Sequence, residues 1–125
     1  MAAFFVALRE SVRDQEEMKL YAEKAGESAT GHRLTPRAAY GRLRMTEGEP
    51  IEGAVILEFP TFEEAEAWYD SPAYQAAVVH RFRGAKYRTF IVQGVESGAP
   101  LASGMTPGEG ELVEAPAERP QGKGT

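Results

Sequence analysis

Apolar and polar positions recur with changing period along residues 1–95, and this pattern predicts strands and helices in turn. A compact apolar run at residues 3–9 indicates a first strand. Asp14 then follows as the cap of a first helix, which ends between Gly26 and Gly31. One face of that helix carries the apolar side chains of Met18, Tyr21, Ala22 and Ala25. Their spacing of three and four residues predicts that this face packs against a core.

Two more strands are predicted before the second helix. Residues 38–46 alternate between polar and apolar side chains, which is typical of a half-polar strand. Residues 54–59 form a short apolar run and indicate a third strand. Thr61 and Glu64 have the spacing of a capping box, so a second helix begins there.

A third helix and a fourth strand complete the domain. Pro72 is placed at the first position of a helix that reaches about residue 82. Residues 87–95 then predict the closing strand. The order β-α-β-β-α-(α)-β is the split βαβ arrangement, an α+β fold. It predicts a four-stranded antiparallel sheet with the helices on one face.

The second face of this sheet would be exposed in a monomer. Counting alternate positions along the strands assigns this face to Phe5, Ala54, Ile56, Glu58, Tyr87 and Ile91. A patch of this size and mixed character usually meets a partner. A chain of 125 residues with 42% hydrophobic residues also builds only a modest core. Both observations predict a homodimer.

Composition divides the chain into a folded domain at residues 1–95 and a tail at residues 96–125. The tail is rich in Gly, Pro, Glu and Ala and has few large apolar side chains. Such a segment buries too little apolar surface to offset the entropy lost when it is ordered. The composition therefore predicts that the tail is disordered.

Charge and residue usage exclude several classes of function. The net charge of -5 argues against a nucleic-acid partner, because phosphates require a basic surface. The chain has no cysteine, and its two histidines lie far apart, so no metal site is predicted. No glycine-rich nucleotide motif is present, so nucleotide binding is not supported. The apolar N-terminal run is too short to span a membrane, and a cytoplasmic protein without membrane contact is expected.

A series of motifs carries a resemblance to a known family. In the second half of the domain these are Leu57-Glu58-Phe59-Pro60, Ala67-Trp68-Tyr69, Ser71-Pro72, Tyr74-Gln75, Arg81 and Val92-x-Gly94. Earlier positions are Asp14, Tyr21, Gly31-His32-Arg33 and a Glu-Gly pair that is either Glu47-Gly48 or Glu52-Gly53. Residues 3–95 thus resemble the domain-of-unknown-function family 1330, although His32 and His80 depart from its usual pattern.

The resemblance implies a ferredoxin-like domain that pairs as a dimeric α/β barrel, with two sheets face to face and the helices outside. The larger superfamily includes cofactor-free monooxygenases, lactone isomerases, cyclases and haem enzymes. Their small-molecule pockets lie between sheet and helices. The family itself implies no particular reaction.

His80, Arg81 and Glu58 are the candidate catalytic residues. His80 could act as a general acid or base, or it could bond the unpaired carbonyls at a helix end. Arg81 could hold a carboxylate or phenolate through two hydrogen bonds, or it could pair with Glu58 or Glu47 within the chain. Glu58, inside an apolar strand, could be a general base or a structural ion-pair partner.

Four further residues are candidates for substrate binding: Arg33, Trp68, Tyr74 and Tyr40. Arg33 could hold an anionic group through its guanidinium. Aromatic side chains with polar tips suit a pocket for a planar or cyclic ligand. A Trp on an amphipathic helix face is nevertheless more often part of the core.

These features predict a homodimeric enzyme that works without a cofactor on a small cyclic or aromatic organic acid. The expected chemistry is proton transfer, as in an isomerase, a cyclase or lactone chemistry; a cofactor-free monooxygenase is an alternative. A non-catalytic ligand-binding or stress-associated dimer is another alternative, and an assembly module with a closed core is a third. Convergence of His80 and Glu58 on one cavity would favour the enzyme.

Overall fold

A computed structural model describes residues 1–96 and 98–101, which form one antiparallel sheet and three helices. The strands are β1 (Ala3–Val12), β2 (Thr35–Ala39), β3 (Gly53–Phe59) and β4 (Ala85–Gln93). The helices are α1 (Gln15–Ser28), α2 (Phe62–Tyr69) and α3 (Pro72–Gly84). The strand order β2-β3-β1-β4 confirms the predicted split βαβ arrangement. The predicted disordered tail lies almost entirely outside the described residues.

Side-chain caps start all three helices, as the sequence predicts for two of them. Asp14, Thr61 and Ser71 each accept hydrogen bonds from backbone N–H groups two or three residues later, at 3.0–3.2 Å. Such a cap typically stabilises a helix by about 1 kcal/mol. Pro72 occupies the first turn of α3, where a missing N–H costs nothing.

The second strand is displaced from its predicted position. β2 shares only its last two residues with the predicted span 38–46. Tyr40 ends the strand because its backbone has a φ of 57°, in the left-handed region. Residues 41–50 that follow are all exposed and lie outside the sheet. The prediction was wrong because polar–apolar alternation also occurs in a surface connection.

The core lies between the sheet and the helices and is centred on Trp68. The centroid of its ring system is 5.1 Å from that of Phe5, 5.5 Å from that of Phe59 and 4.2 Å from that of Tyr74. The indole N–H donates a hydrogen bond to Ser28 Oγ at 3.1 Å. This bond satisfies a donor that would otherwise be buried at a cost of about 1–3 kcal/mol. Trp68 is therefore a core residue of the chain.

The sheet face directed away from the helices is called the open face here. The register assigns to it Phe4, Val6, Leu8, Ala54, Ile56, Glu58, Arg88, Phe90 and Val92. Three of the six predicted residues lie there: Ala54, Ile56 and Glu58. Phe5, Tyr87 and Ile91 belong instead to the core side. That part of the prediction was wrong because the parity of β1 and β4 was taken one residue out of phase.

We predict that Trp68→Ala lowers the free energy of unfolding by about 3–5 kcal/mol, because it leaves a large cavity in the core. Urea unfolding followed by circular dichroism measures this change. Glu66→Ala on the exposed side of α2 is the matched control, with an expected effect below about 0.5 kcal/mol. If Trp68→Ala costs no more than that control, Trp68 does not support the core.

Candidate functional site

Two arginines and four tyrosines gather between the helices and the sheet. This arginine–tyrosine cluster consists of Arg9, Tyr21, Tyr40, Tyr74, Arg81 and Tyr87. Its members come from β1, α1, α3, β4 and the residue after β2, so the fold assembles the cluster from distant segments. Arg9 and Tyr87 are directly opposite in the β1–β4 register. Both side chains therefore leave the sheet on the helix side.

Arg81 is the most deeply buried charge of the cluster, with 4% of its surface exposed. Its guanidinium carbon lies 4.9 Å from the ring centroid of Tyr87, 5.3 Å from that of Phe82 and 5.9 Å from that of Tyr21. None of the ion pairs among the described residues includes Arg81, and its Nε is buried without a hydrogen-bond partner. An arginine stays protonated in a protein. Aromatic faces and the hydroxyl of Tyr74 therefore stabilise this buried charge in place of a carboxylate.

The buried tyrosines of the cluster are hydrogen-bond donors at neutral pH. The hydroxyl groups of Tyr21 and Tyr74 are 2.8 Å apart. Burial raises the pKa of Tyr21, Tyr74 and Tyr87 above the ordinary value of a tyrosine. The hydroxyl of Tyr40 adds to the rise in the pKa of Tyr87 through a hydrogen bond. Tyr21, Tyr74 and Tyr87 thus keep their protons at neutral pH, and in each hydrogen-bonded pair the hydroxyl that accepts can donate to a further group.

Arg9 forms the outer end of the cluster. Its guanidinium carbon lies 4.4 Å from the centroid of the Tyr40 ring. Its Nε is 3.5 Å from Glu52 Oε1, close enough for an ion pair but without the geometry of a hydrogen bond. The hydroxyls of Tyr40 and Tyr87 are hydrogen-bonded to each other. Through these two tyrosines the outer arginine is linked to the buried one, Arg81.

A cleft of about 620 Å³ opens next to Arg9 and is called the α1 cleft here. Its charged lining residues are Arg9, Arg13, Lys19 and Glu52, and its apolar lining residues are Val12, Met18 and Ala22. The lining carries three cations against one carboxylate, although the whole chain has a net charge of -5. Glu52 pairs with Arg9 and Glu16 pairs with Lys19, so part of this charge is compensated, and the remaining excess attracts small anions.

The three predicted catalytic residues are not brought together. His80 Nδ1 lies 2.8 Å from Glu17 Oε1 and joins α3 to α1. Glu58 lies on the open face, where it accepts a hydrogen bond of 2.7 Å from Arg37 Nε. His80 and Glu58 therefore lie on opposite sides of the sheet. The alternative in which Arg81 pairs with Glu58 is wrong for the same reason.

The predicted binding residues are divided between three places. Arg33 donates two hydrogen bonds to Glu64, at 3.2 and 2.6 Å, so its charge is already compensated. A hollow of about 240 Å³ is lined in part by Arg33 and Glu58, both of which already have partners. Trp68 lies in the core. Tyr40 and Tyr74, together with Arg81, lie in the arginine–tyrosine cluster.

Three cluster residues were not among the sequence-based candidates: Arg9, Tyr21 and Tyr87. The spacing of Tyr21 assigns it to the apolar face of a helix, and this pattern does not reveal that its hydroxyl contacts that of Tyr74. Arg9 is a cation at the end of an apolar run, and this signal could have identified it. Tyr87 joins the cluster only because it is paired with Arg9, and a sequence without the register does not reveal that pairing.

Residues 1–96 and 98–101 contain neither a cluster of metal ligands nor a helix that could span a membrane. No three His, Cys, Asp or Glu side chains gather there in a way that could hold a metal ion. No helix in the same residues combines the length and the apolar character that a bilayer span requires.

Three solved structures show how this fold recurs. A protein of unknown function from Rhodopseudomonas palustris is 17% identical, with a TM-score of 0.58 over 76% of this chain and 83% of that one. A dimeric ferredoxin-like protein of unknown function from Thermobifida fusca is 12% identical, with a TM-score of 0.52 over 74% and 91% of the two chains. A dabb family protein with a ferredoxin-like fold from Mesorhizobium loti is 15% identical, with a TM-score of 0.51 over 75% and 97%. At these identities the likeness shows the ferredoxin-like fold alone.

Sequence comparison identifies the family of the chain. No curated protein matches it significantly. The family model described as Domain of unknown function (DUF1330) matches residues 2–95, which include every strand and helix given above and the whole arginine–tyrosine cluster. The resemblance carried by the sequence motifs is thereby confirmed, and the chain belongs to the DUF1330 family.

Proposed function

We propose that this protein is a homodimer that binds a small organic acid between α1 and the sheet, with the arginine–tyrosine cluster holding the acid group. The observation that carries the proposal is Arg81, a buried cation with no carboxylate partner among the described residues. The α1 cleft provides the adjoining space. A cleft of this size is within the range that small-molecule ligands occupy.

The energetics of Arg81 favour a ligand as its counter-charge. Removing a cation from water costs several kcal/mol, and an apolar side chain of similar volume is often neutral or stabilising in its place. Contacts with aromatic faces offset part of that cost, by about 0.5–2 kcal/mol each. A bound carboxylate would supply the missing charge and could accept two parallel hydrogen bonds from the guanidinium.

The surroundings of Arg81 favour a planar or cyclic acid. The rings of Tyr21, Phe82 and Tyr87 face the guanidinium, and a planar ligand can stack on such rings. The protonated hydroxyls of the cluster can donate hydrogen bonds to a carboxylate or phenolate. The apolar part of the α1 cleft, from Val12, Met18 and Ala22, suits the hydrocarbon part of the ligand.

Binding is favoured over proton-transfer catalysis as the role of this site. An isomerase, cyclase or lactone-converting enzyme needs a base within reach of the substrate proton. His80 and Glu58 have partners elsewhere, and the cluster itself contains arginines and tyrosines. Because their pKa values are raised, Tyr21, Tyr74 and Tyr87 stay protonated at neutral pH and cannot act as the base. A cofactor-free monooxygenase has no separate observation in its favour.

The open face supports the homodimer. Phe90 and Val92 are 49% and 46% exposed, and Val6 and Ile56 lie beside them across the sheet. Two sheets that pack face to face cover such apolar surfaces with each other. The relative from Thermobifida fusca is described as dimeric. We infer that two copies of this chain pair through their open faces into a dimeric α/β barrel.

We predict that the wild-type chain is a dimer in solution and that Phe90→Glu converts it to a monomer, because the change buries an unpaired charge at the paired faces. Light scattering after size-exclusion chromatography measures the mass. Val79→Glu is the matched control, since Val79 is 41% exposed on the helical layer. A monomeric wild type, or a Phe90→Glu variant that stays dimeric, would contradict pairing through the open face.

We predict that Arg81→Met weakens the binding of a small organic acid by about 10- to 100-fold, because it removes charge-assisted hydrogen bonds. Benzoate is the probe for titration calorimetry, and neutral benzamide is the matched ligand that should not bind.

Native mass spectrometry of protein gently purified from its producing cells should also reveal a dimer with an acidic adduct, which Arg81→Met loses.

The same substitution at Arg33 is the control for Arg81→Met. Arg33 is compensated by Glu64 and lies outside the arginine–tyrosine cluster, so Arg33→Met should leave benzoate binding unchanged. Stability of both variants is followed by urea unfolding to separate binding from folding. Equal binding of benzoate by Arg81→Met and the wild type would remove Arg81 as the anchor and with it the proposed function.

A further inference from the structure

We propose that the side chain of Tyr40 is a gate between the α1 cleft and Arg81, and that Gly53 is the residue that allows this gate to close. The inference rests on the proposed function, since a gate matters only if a ligand reaches Arg81. It specifies how a ligand would reach Arg81 and which ligand shape the site would accept.

Tyr40 lies between the two arginines of the cluster. On one side its ring covers the guanidinium of Arg9, with 4.4 Å between the guanidinium carbon and the ring centroid. On the other side its hydroxyl is hydrogen-bonded to that of Tyr87. The Tyr87 ring in turn lies 4.9 Å from the guanidinium carbon of Arg81. Arg9 lines the α1 cleft and Arg81 does not, so the contacts of Tyr40 and Tyr87 form the connection between the cleft and Arg81.

Gly53 provides the space into which the Tyr40 ring fits. A Cβ atom at position 53 would lie 2.6 Å from Tyr40 Cδ1 and 3.2 Å from Tyr40 Cε1. The first distance is well inside the normal contact distance of two carbon atoms. Any larger residue at position 53 would therefore displace the ring. The backbone of Gly53 is not in the left-handed region, so space rather than backbone conformation is what requires a glycine here.

The Tyr40 side chain is able to move while its backbone stays in place. The Tyr40 N–H donates a hydrogen bond of 2.8 Å to the carbonyl of Ala54, which fixes the chain at the end of β2. The side chain itself is 42% exposed, and residues 41–50 after it are all exposed. A side chain with so little covering it can change rotamer without disturbing the core.

The closed Tyr40 side chain also indicates the shape of the ligand. Its phenol places a flat ring against the guanidinium of Arg9 and a hydrogen-bonding oxygen against Tyr87. A planar aromatic carboxylate can reproduce both contacts when Tyr40 swings out. Its negative charge then provides what the tyrosine lacks, a counter-charge for the cations of the arginine–tyrosine cluster. The structure thus assigns planar aromatic acids to this site ahead of aliphatic ones.

The test measures how fast phenylglyoxal, an arginine-specific reagent, modifies Arg81 in the dimeric full-length protein. Peptide mass spectrometry gives the rate for Arg81 relative to the exposed Arg42 in the same molecule. Gly53→Ala should displace the Tyr40 ring without replacing either arginine, and Tyr40→Ala removes the ring. Gly41→Ala is the matched control, because a Cβ at position 41 meets no atom within 4 Å.

We expect Gly53→Ala and Tyr40→Ala to speed the relative modification of Arg81 by about tenfold or more, because the cost of opening the gate is removed. Gly41→Ala should leave the rate unchanged, and circular dichroism should show that all three variants are folded. If Gly53→Ala does not fold, Tyr40→Ala decides the result. An unchanged Arg81 rate in the folded open-gate variants, or an equal increase in Gly41→Ala, would overturn the proposal.

A ligand competition separates this inference from the proposed function. Benzoate should slow the modification of Arg81 in the wild type more than cyclohexanecarboxylate does, because only benzoate presents a flat ring. The variant comparison needs no ligand, so its failure removes the gate and leaves the binding function standing. If neither acid slows the modification of Arg81 while the variants respond as expected, the proposed function and the ligand assignment are overturned. Tyr40 would then still control access to Arg81.

Discussion

Strand β1 hydrogen-bonds to β3 on one side and to β4 on the other, and this double pairing decides which side chains meet. Successive side chains of a strand point to opposite faces. Phe5 and Ala7 are therefore directed into the core, while Val6 and Leu8 reach the open face. Arg9, in phase with Phe5, is placed beside the cluster. A slip of one residue would exchange all of these positions at once, and the core, the site and the open face are consequently set together.

Tyr74 belongs to both the buried core and the arginine–tyrosine cluster. Its ring packs 4.2 Å from Trp68, while its hydroxyl contacts that of Tyr21. Trp68 is in turn tied to the end of α1 through Ser28. Helix α1 is thus held at both the core and the cluster, and the position of Tyr21 against Arg81 depends on ordinary hydrophobic packing. The inner part of the site is built on the core, and Tyr40 is its exposed outer member.

The sequence predicted elements well where a local signal exists. Caps at Asp14 and Thr61 are short-range chemistry, and both were identified correctly. The parity of β1 and β4 was predicted wrongly. Each strand is apolar at consecutive positions, so its sequence does not indicate which alternate set of side chains faces the helices. The same limit applies to the site. Arg81 and Tyr40 carry polar groups that mark them as candidates, whereas Arg9 and Tyr87 join them only through cross-strand register.

The short second strand has a consequence for assembly. β2 is an edge strand of five residues and contains Pro36, which has no N–H to offer to a further strand. The opposite edge, β4, carries the charged side chains of Lys86 and Arg88. Addition along an edge can continue without limit, since each new strand presents another edge. When two sheet faces pack against each other, neither face remains available to a further copy. A chain with blunted edges and one apolar face is therefore limited in how many copies can join, and growth of a fibre is discouraged by the architecture itself.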